Sequence, residues 1–506
     1  TYTGRYTYNT GNGTMSTADF GTGRTATLTY DNLQRLTSET MAGLYTKSYT
    51  YRDISSTRTT TQIASESYTG LCSGWSGRGA SYTYDAMGNI ATITGPYKNK
   101  KSVQRTYTYD AQNQLLSEKI GSDTTSYTYD TAGNIRSITG PSISKTFTYD
   151  DTGDWKDLLT SVTVNGTTRS ITYEEENGVT IGNPLSYFNG TQYTLAWQNG
   201  RQLASLSGGG KSATYTYGAD GIRTSKALMN GDNPPIMHYY TTQNGKIVRE
   251  QWGSAQMDFV YDAAGRPLAM YYRTKTASQT DFNGDSYYYE TNQQGDVTGL
   301  YKITYNATTK ALSATRVASY EYDAWGNVTY STGEMADINP LRYRGYYQDW
   351  ESGYYYLQSR YYDPVIGRFI NADIIENVEA EDLLALNLFC YAVNSPISNS
   401  DQDGNFALSL SIGAFVVATV KAVAVAAAKY VVPVVAAVVA TVVVPYVVKA
   451  VKKAARTIAA VAIATVGTIS YAKERGKERI GKRKRYNTRK KAKEAAQRAG
   501  RGKIRH

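Results

Sequence analysis

Between residues 81 and 150 apolar and polar side chains alternate in short bursts that return in nearly the same words. "SYTYD" (81–85) is followed by "RTYTYD" (105–110), "SYTYD" (126–130) and "KTFTYD" (145–150). A two-residue alternation of aromatic and β-branched residues predicts a half-buried strand. Asp-x-x-Gly-Asn then predicts a turn, because Asp bonds its own downstream backbone and Gly or Asn tolerates positive φ. A second alternating run, "IATIT" or "IRSIT", predicts the return strand. One unit is therefore a hairpin of roughly 20 residues, too small to be stable alone, which must stack on its neighbours.

The Tyr-Asp pair marks the register: Tyr30-Asp31, Tyr84-Asp85, Tyr109-Asp110, Tyr129-Asp130, Tyr149-Asp150, Tyr261-Asp262 and Tyr322-Asp323. Degenerate copies fill the gap after residue 150, among them "LAWQNGRQLASL" and "YTYGADGIRTSK", where Gly218 stands in place of Asp. These aspartates read as turn formers rather than catalytic carboxylates. The opening "TYTGRYTYNTGNGT" already lies inside a repeat, which implies further repeats upstream.

Composition supports strands. The 506 residues hold 47 Tyr against 9 Phe and 6 Trp, with 45 Gly and 11 Pro. Two cysteines, Cys72 and Cys390, make no disulfide framework. Two histidines, His238 and His506, leave little for His-based metal or nucleophilic chemistry, and no cofactor or metal is expected. The net charge of +11 is uneven. Residues 449–506 carry 20 of the 54 basic and 3 of the 43 acidic residues, so a mildly acidic body bears a basic tail.

Residues 340–404 predict a compact plug, in which the stretch "PLRYRGYYQDWESGYYYLQSRYYDPVIGRFINAD" (340–373) crowds Tyr and Arg together and allows cation–π contacts at Arg342, Arg344 and Arg360. "LLALNLFCYAVNSPI" predicts a short helix and a turn. The repeats resemble the YD repeats of the RHS (rearrangement hotspot) family, and residues 340–373 resemble its repeat-associated core motif nearly throughout. The resemblance covers about residues 1–404. It implies a mainly β fold, in which hairpins form a strip that spirals into a hollow shell, plugged by the core and enclosing a variable C-terminal toxin. The implied domains are a repeat shell (1–339), a core plug (340–404), an Ala/Val-rich helical segment (405–471) and a basic helical tail (472–506), so that an α-helical region follows the shell.

Members of that family often cut themselves after the plug with an aspartyl-type site, which needs two carboxylates close enough to share a proton. The resemblance assigns these to Asp373, in "GRFINAD", and Asp401, in "NSPISNSDQDG", with Arg368 as the nearby cation and the cut near Gly404, Asn405 or Phe406. Asp403 is an alternative to Asp401. The sequence departs from the family pattern at Gln402, where Pro is usual, and at Asn405, where self-cleaving members carry Leu. The competing reading makes Asp373 and Asp401 turn residues of a shell that does not cut.

After Gly404 the language changes. Residues 406–471 are rich in Ala and Val, and Tyr430–Val448 is a charge-free run of 19 residues interrupted by Pro433 and Pro445. Such runs reach the length of a membrane span. They read as membrane-inserting segments, as apolar helices stored in the shell, or as a soluble helical core. The tail "YAKERGKERIGKRKRYNTRKKAKEAAQRAGRGKIRH" is basic without a base-reading pattern, so nucleic-acid recognition is unsupported. Three classes of function follow: a carrier for its own C-terminal toxin, a membrane-acting effector, and a surface protein whose Tyr ladders engage glycans. The first implies a secreted or cell-surface bacterial protein, served by a secretion machinery, restrained by an immunity protein and directed at a target cell or its membrane.

Overall fold

The computed structural model describes residues 5–19, 25–70, 78–98, 100–151, 155–229, 233–262, 265–276, 278–279, 281–309, 311–373, 387–405 and, for the backbone alone, 407–409. These fall in one compact unit, Thr1–Thr419. The fold is mainly β. Fifteen strands from Arg5–Tyr8 to Thr167–Ser170 form one sheet, and fourteen from Thr172–Glu176 to Val328–Thr332 form a second. Within each sheet every strand pairs antiparallel with its chain neighbour, as stacked hairpins require.

The repeat grammar has an atomic counterpart. In strand Asp123–Tyr129 the first tyrosine, Tyr127, is buried, and Thr128 faces outward with its hydroxyl 2.7 Å from Ser137 on the next strand. Between Thr128 and Tyr129 the register shifts by a bulge. The same shift recurs at Thr83/Tyr84, Thr148/Tyr149 and Thr216/Tyr217. A bulge re-aims the side chain that follows it and adds twist. Here it turns the second tyrosine so that its hydroxyl donates to a backbone carbonyl 14 residues earlier: Tyr129 to Leu115, Tyr149 to Ile135, Tyr217 to Leu203 and Tyr261 to Ile247. The Asp closes the turn. Asp110 Oδ1 accepts the backbone N–H of Gln112 (2.9 Å) and Gln114 (2.8 Å), while Asn113 takes a left-handed φ of 65°.

The strip winds back on itself. Tyr6 donates to the Tyr261 carbonyl, Lys47 to Thr291, and the Gln293 N–H to Glu66; Glu321 accepts from the Lys98 N–H and Glu118 from the Ala324 N–H. These partners lie between 206 and 255 residues apart, so side chains bridge the first sheet and the second across that separation. Charged pairs line the seam, among them Arg78–Glu290 at 2.7 Å.

The core packs against the buried face of this winding and follows it backwards. Along a series of its contacts, as its numbering rises its partners' numbering falls. Tyr347 meets Glu250, Asp349 meets Arg223, Glu351 meets Tyr215, Asp363 meets Asn189, Asn387 meets Asn134, Asn394 meets Gln114 and Ser398 meets Ile90. Its four short strands, Tyr347–Gln348, Tyr355–Tyr356, Tyr361–Asp363 and Arg368–Phe369, form their own sheet around buried tyrosines; Tyr362 and Tyr391 stack at 4.0 Å. Arg342 lies over Tyr320 (4.2 Å), Arg344 over Tyr343 (4.7 Å) and Arg360 over Phe369 (3.5 Å).

Two local expectations change. The described part of the expected short helix, residues 387–397, holds one 3-10 turn, Ala392–Asn394, flanked by other turns, and Ala392, Val393 and Asn394 all take positive φ (50°, 51° and 56°). Tertiary bonds outweigh helix preference there: the Asn394 amide donates to Gln114 and to the Gly133 carbonyl. Of the expected helical segment 405–471 only 405 and 407–409 are described, and Ala407–Ser409 is a strand paired with Asn399–Asp401. The membrane-seeking runs, the basic tail, Cys72 and His506 lie outside the described residues.

Candidate functional site

The chain turns back on itself after Asp401. Strand Asn399–Asp401 pairs with Ala407–Ser409, with Asp401 opposite Ala407, and the described residues 402–405 belong to the loop between them. Asp401 is 2% exposed. Its Oδ1 accepts three backbone N–H groups of that loop: Gly404 (2.9 Å), Asn405 (3.2 Å) and Asp403 (3.3 Å). The Tyr346 hydroxyl donates to the Asp401 carbonyl. The loop is seated on Ser359 and Arg360. Ser359 Oγ donates to the Asp403 carbonyl at 2.7 Å, and Arg360 Nε donates to the Gly404 carbonyl. Gly404 has a φ of +78°, and an added Cβ would lie 2.6 Å from Ser359 Oγ and 2.9 Å from the Leu357 carbonyl. Only glycine fits that approach.

Arg360 is the hub. It is 3% exposed, lies over Phe369, and donates through Nη1 to the Leu388 carbonyl at 2.9 Å. Its Nη2 is 2.9 Å from Asp373 Oδ2 and 3.6 Å from Asp401 Oδ2. The two carboxylates assigned from the core motif, 28 residues apart in sequence, thus meet at one nitrogen. Burial draws the Arg360 guanidinium down to about 10, against the pull of Asp373 and Asp401.

Arg368 sits elsewhere. Its guanidinium lies over Phe389 (4.5 Å) and Tyr149 (5.2 Å) and donates to the Asp157 carbonyl. The cation between the carboxylates is Arg360, which sequence reasoning placed only in an aromatic contact. Its signal was available: a permanent cation inside an aromatic run has to find buried anions. Arg201 of the repeat strip also reaches the site, with Nη2 3.7 Å from Asp373 Oδ1. No sequence pattern marks it, because it lies in a degenerate repeat. Asp403 contributes its carbonyl to the Ser359 contact and its Oδ1 to the Asn405 N–H at 3.3 Å. Burial pushes the nearby Cys390 thiol up to about 12, which keeps it protonated and poorly nucleophilic.

A deep carboxylate pair, a guanidinium on one peptide carbonyl and a tightly held loop are the ingredients of peptide hydrolysis by paired acids. The teneurin YD-shell family model matches residues 78–397, more than half the chain. The chain belongs to the teneurin YD-shell family. It is an RHS/YD-repeat protein, and the tRNA nuclease WapA of Bacillus subtilis is 29% identical to it over 360 residues. That match covers 64% of this chain but 15% of the relative. Among solved structures, the Tc holotoxin pore of Photorhabdus luminescens aligns with a TM-score of 0.57 at 18% identity, over 79% of this chain and 20% of the other. TcdB2–TccC3 lacking its hypervariable C-terminal region aligns at 0.55, also at 18% identity, over the same shares of the two chains. These structural likenesses establish the YD-shell fold, and this chain spans only a small part of the proteins it matches.

Proposed function

We propose that this chain is part of a secreted carrier shell that presents a C-terminal toxin and releases it by cutting its own backbone between Gly404 and Asn405. The observation that carries the reading is the loop at residues 401–405, clamped to the core by Arg360 beside Asp373 and Asp401. The toxin-related names of the relatives support the carrier role, and a hollow interior with the chain beyond residue 405 enclosed belongs to the same reading.

In the proposed reaction Asp373 accepts a proton from water while the water oxygen bonds to the Gly404 carbonyl carbon. Arg360 Nε stabilises the developing charge on the carbonyl oxygen. The C–N bond to Asn405 breaks, and the departing nitrogen takes the proton that Asp401 carries on Oδ2, its Oδ1 being the acceptor of the Asn405 N–H at 3.2 Å in the resting loop. One proton has crossed from Asp401 to Asp373, and one water has been consumed. Intact-mass spectrometry of the full chain should find fragments ending at Gly404 and beginning at Asn405, and Asp401→Ala should stay whole. A wild-type chain that stays whole would remove the cleavage step.

A further inference from the structure

Arg201 is supplied by the shell, not by the core that holds the two carboxylates. It sits between strands Gln192–Gln198 and Gln202–Gly208, in a turn whose Gly200 carbonyl accepts a hydrogen bond from the Asn183 side chain. The residue before Asn183 forms the other half of the junction. Gly182, at a φ of +79°, accepts the Ala372 N–H at 3.2 Å, and an added Cβ would meet Ala372 Cβ and the Trp155 ring at 2.7 Å. One strip corner, Gly182-Asn183, therefore grips both the core segment ending at Asp373 and the turn that projects Arg201.

At that junction Asp373 is held from two sides. Arg360 approaches Oδ2 at 2.9 Å and Arg201 approaches Oδ1 at 3.7 Å, while the Asp373 N–H donates to the Leu388 carbonyl at 2.9 Å. The Nε and Nη2 atoms of Arg201 are buried without a hydrogen-bond partner, so this ion pair is the contact that accounts for where its guanidinium points. Two guanidinium groups on opposite oxygens fix the rotation of a carboxylate, which one alone leaves free to swing.

We propose that Arg201 is a positioning residue that holds Asp373 in its working orientation, so that cutting proceeds only once the core is seated in the wound strip. The inference rests on the self-cleavage reading above. It adds a dependence of the reaction on a shell residue 172 positions upstream of the carboxylate it serves. A core that had folded without docking would have both carboxylates and Arg360 but would lack the second clamp. The loop would then be held and left uncut until the strip closes around it.

The test is a time course of cleavage in the full chain made by cell-free translation, followed on gels for wild type, Arg201→Ala, Arg201→Gln and Arg201→Lys, with thermal melting of each beside it. Misplacing a catalytic group by about 1 Å costs up to about 100-fold in rate. Arg201→Ala and Arg201→Gln should slow cutting by at least about tenfold without moving the melting midpoint, and Arg201→Lys should recover much of the loss. Arg201→Ala cutting at the wild-type rate would overturn the inference and leave the self-cleavage reading standing. Slowing that follows a matching loss of melting temperature, unrelieved by Arg201→Lys, would make Arg201 merely structural and overturn it too. A wild-type chain that never cuts would remove both.

Discussion

The repeat strip and the core are built from the same tyrosine-rich vocabulary, yet they are stabilised in opposite ways. Within each sheet of the strip the recurring bonds are short-range and duplicated: an Asp to residues two and four ahead, a Tyr to a carbonyl 14 residues behind, a Thr hydroxyl to the neighbouring strand. The bonds that join the core to the strip are each made once and span more than a hundred residues, and some join fully buried charges. The strip can lose one contact and keep its form, as nearest-neighbour stacking predicts. The core has no second copy of these contacts, so the arrangement of Asp373, Asp401 and Arg360 depends on a single packing.

The strongest way to break that contrast is at Asp349. Its two oxygens receive Arg223 at 2.6 Å and Lys226 at 2.8 Å, Lys226 also meets Glu351 at 3.0 Å, and all four side chains are fully buried. Asp349→Ala leaves two cations facing one carboxylate. Removing one partner of a buried pair costs about 3–5 kcal/mol. Denaturant unfolding should show a loss of that order, with the core lost first and residues beyond 401 opened to protease. A loss under about 1 kcal/mol would mean that the core is not keyed to the strip by these charges.

A smaller effect is expected at the seam between turns. Burial pushes Glu118 up to about 8, with Asp323 adding to it, and burial pushes Glu321 up to about 7. Both are well above the 4.5 of an ordinary glutamate, so the folded state holds protons that the unfolded chain releases. The resulting stability is complete below pH about 4.5 and is lost as pH rises through about 7 to 8. Glu118→Gln keeps an oxygen to accept the Ala324 N–H and removes the titration. The variant should be more stable than wild type at pH 8.5 and similar at pH 4. One unit of pKa separation is worth about 1.4 kcal/mol, so the shift sets an upper limit of about 5 kcal/mol, which relaxation and water entry reduce to on the order of 2 kcal/mol. Identical urea midpoints for the two proteins across that range would refute this account of the seam.

What the sequence made legible divides along the same line. The hairpins, their Tyr-Asp turns and the positions of Asp373 and Asp401 could be read because each lies in a local pattern or in a motif of the core. The winding could not be derived from period or composition, since bonds such as Lys98 to Glu321 join positions that share no pattern. Arg360 was visible but given a lesser part, because the sequence shows its aromatic neighbours and hides the carboxylates that fold onto it. Arg201 was invisible, lying in a repeat that had already lost its Tyr-Asp signature. The expected helix before Pro396 is reduced, among the described residues, to a 3-10 turn at Ala392–Asn394 with positive φ, where the Asn394 side chain is bonded to Gln114 and Gly133, far away in sequence.

The finest test of the contrast concerns additivity. Tyr129→Phe removes the hydroxyl that donates to the Leu115 carbonyl at 2.6 Å, and Tyr217→Phe removes the same bond to Leu203 at 2.9 Å together with a 3.1 Å contact to the Tyr361 hydroxyl. Each should cost about 1 kcal/mol, the usual net worth of such a hydrogen bond. If the strip is a row of independent stacked units, the double variant should lose the sum of the two within about 0.5 kcal/mol. The core predicts the reverse, because Asp349→Ala and Lys226→Met remove parts of one buried network and their costs must couple. Measured by denaturant midpoints, additivity in the strip beside coupling in the core would separate the two modes of construction. Strong coupling between Tyr129 and Tyr217 would instead mean that the wound strip unfolds as a single block, with its repeats no more independent than the core it surrounds.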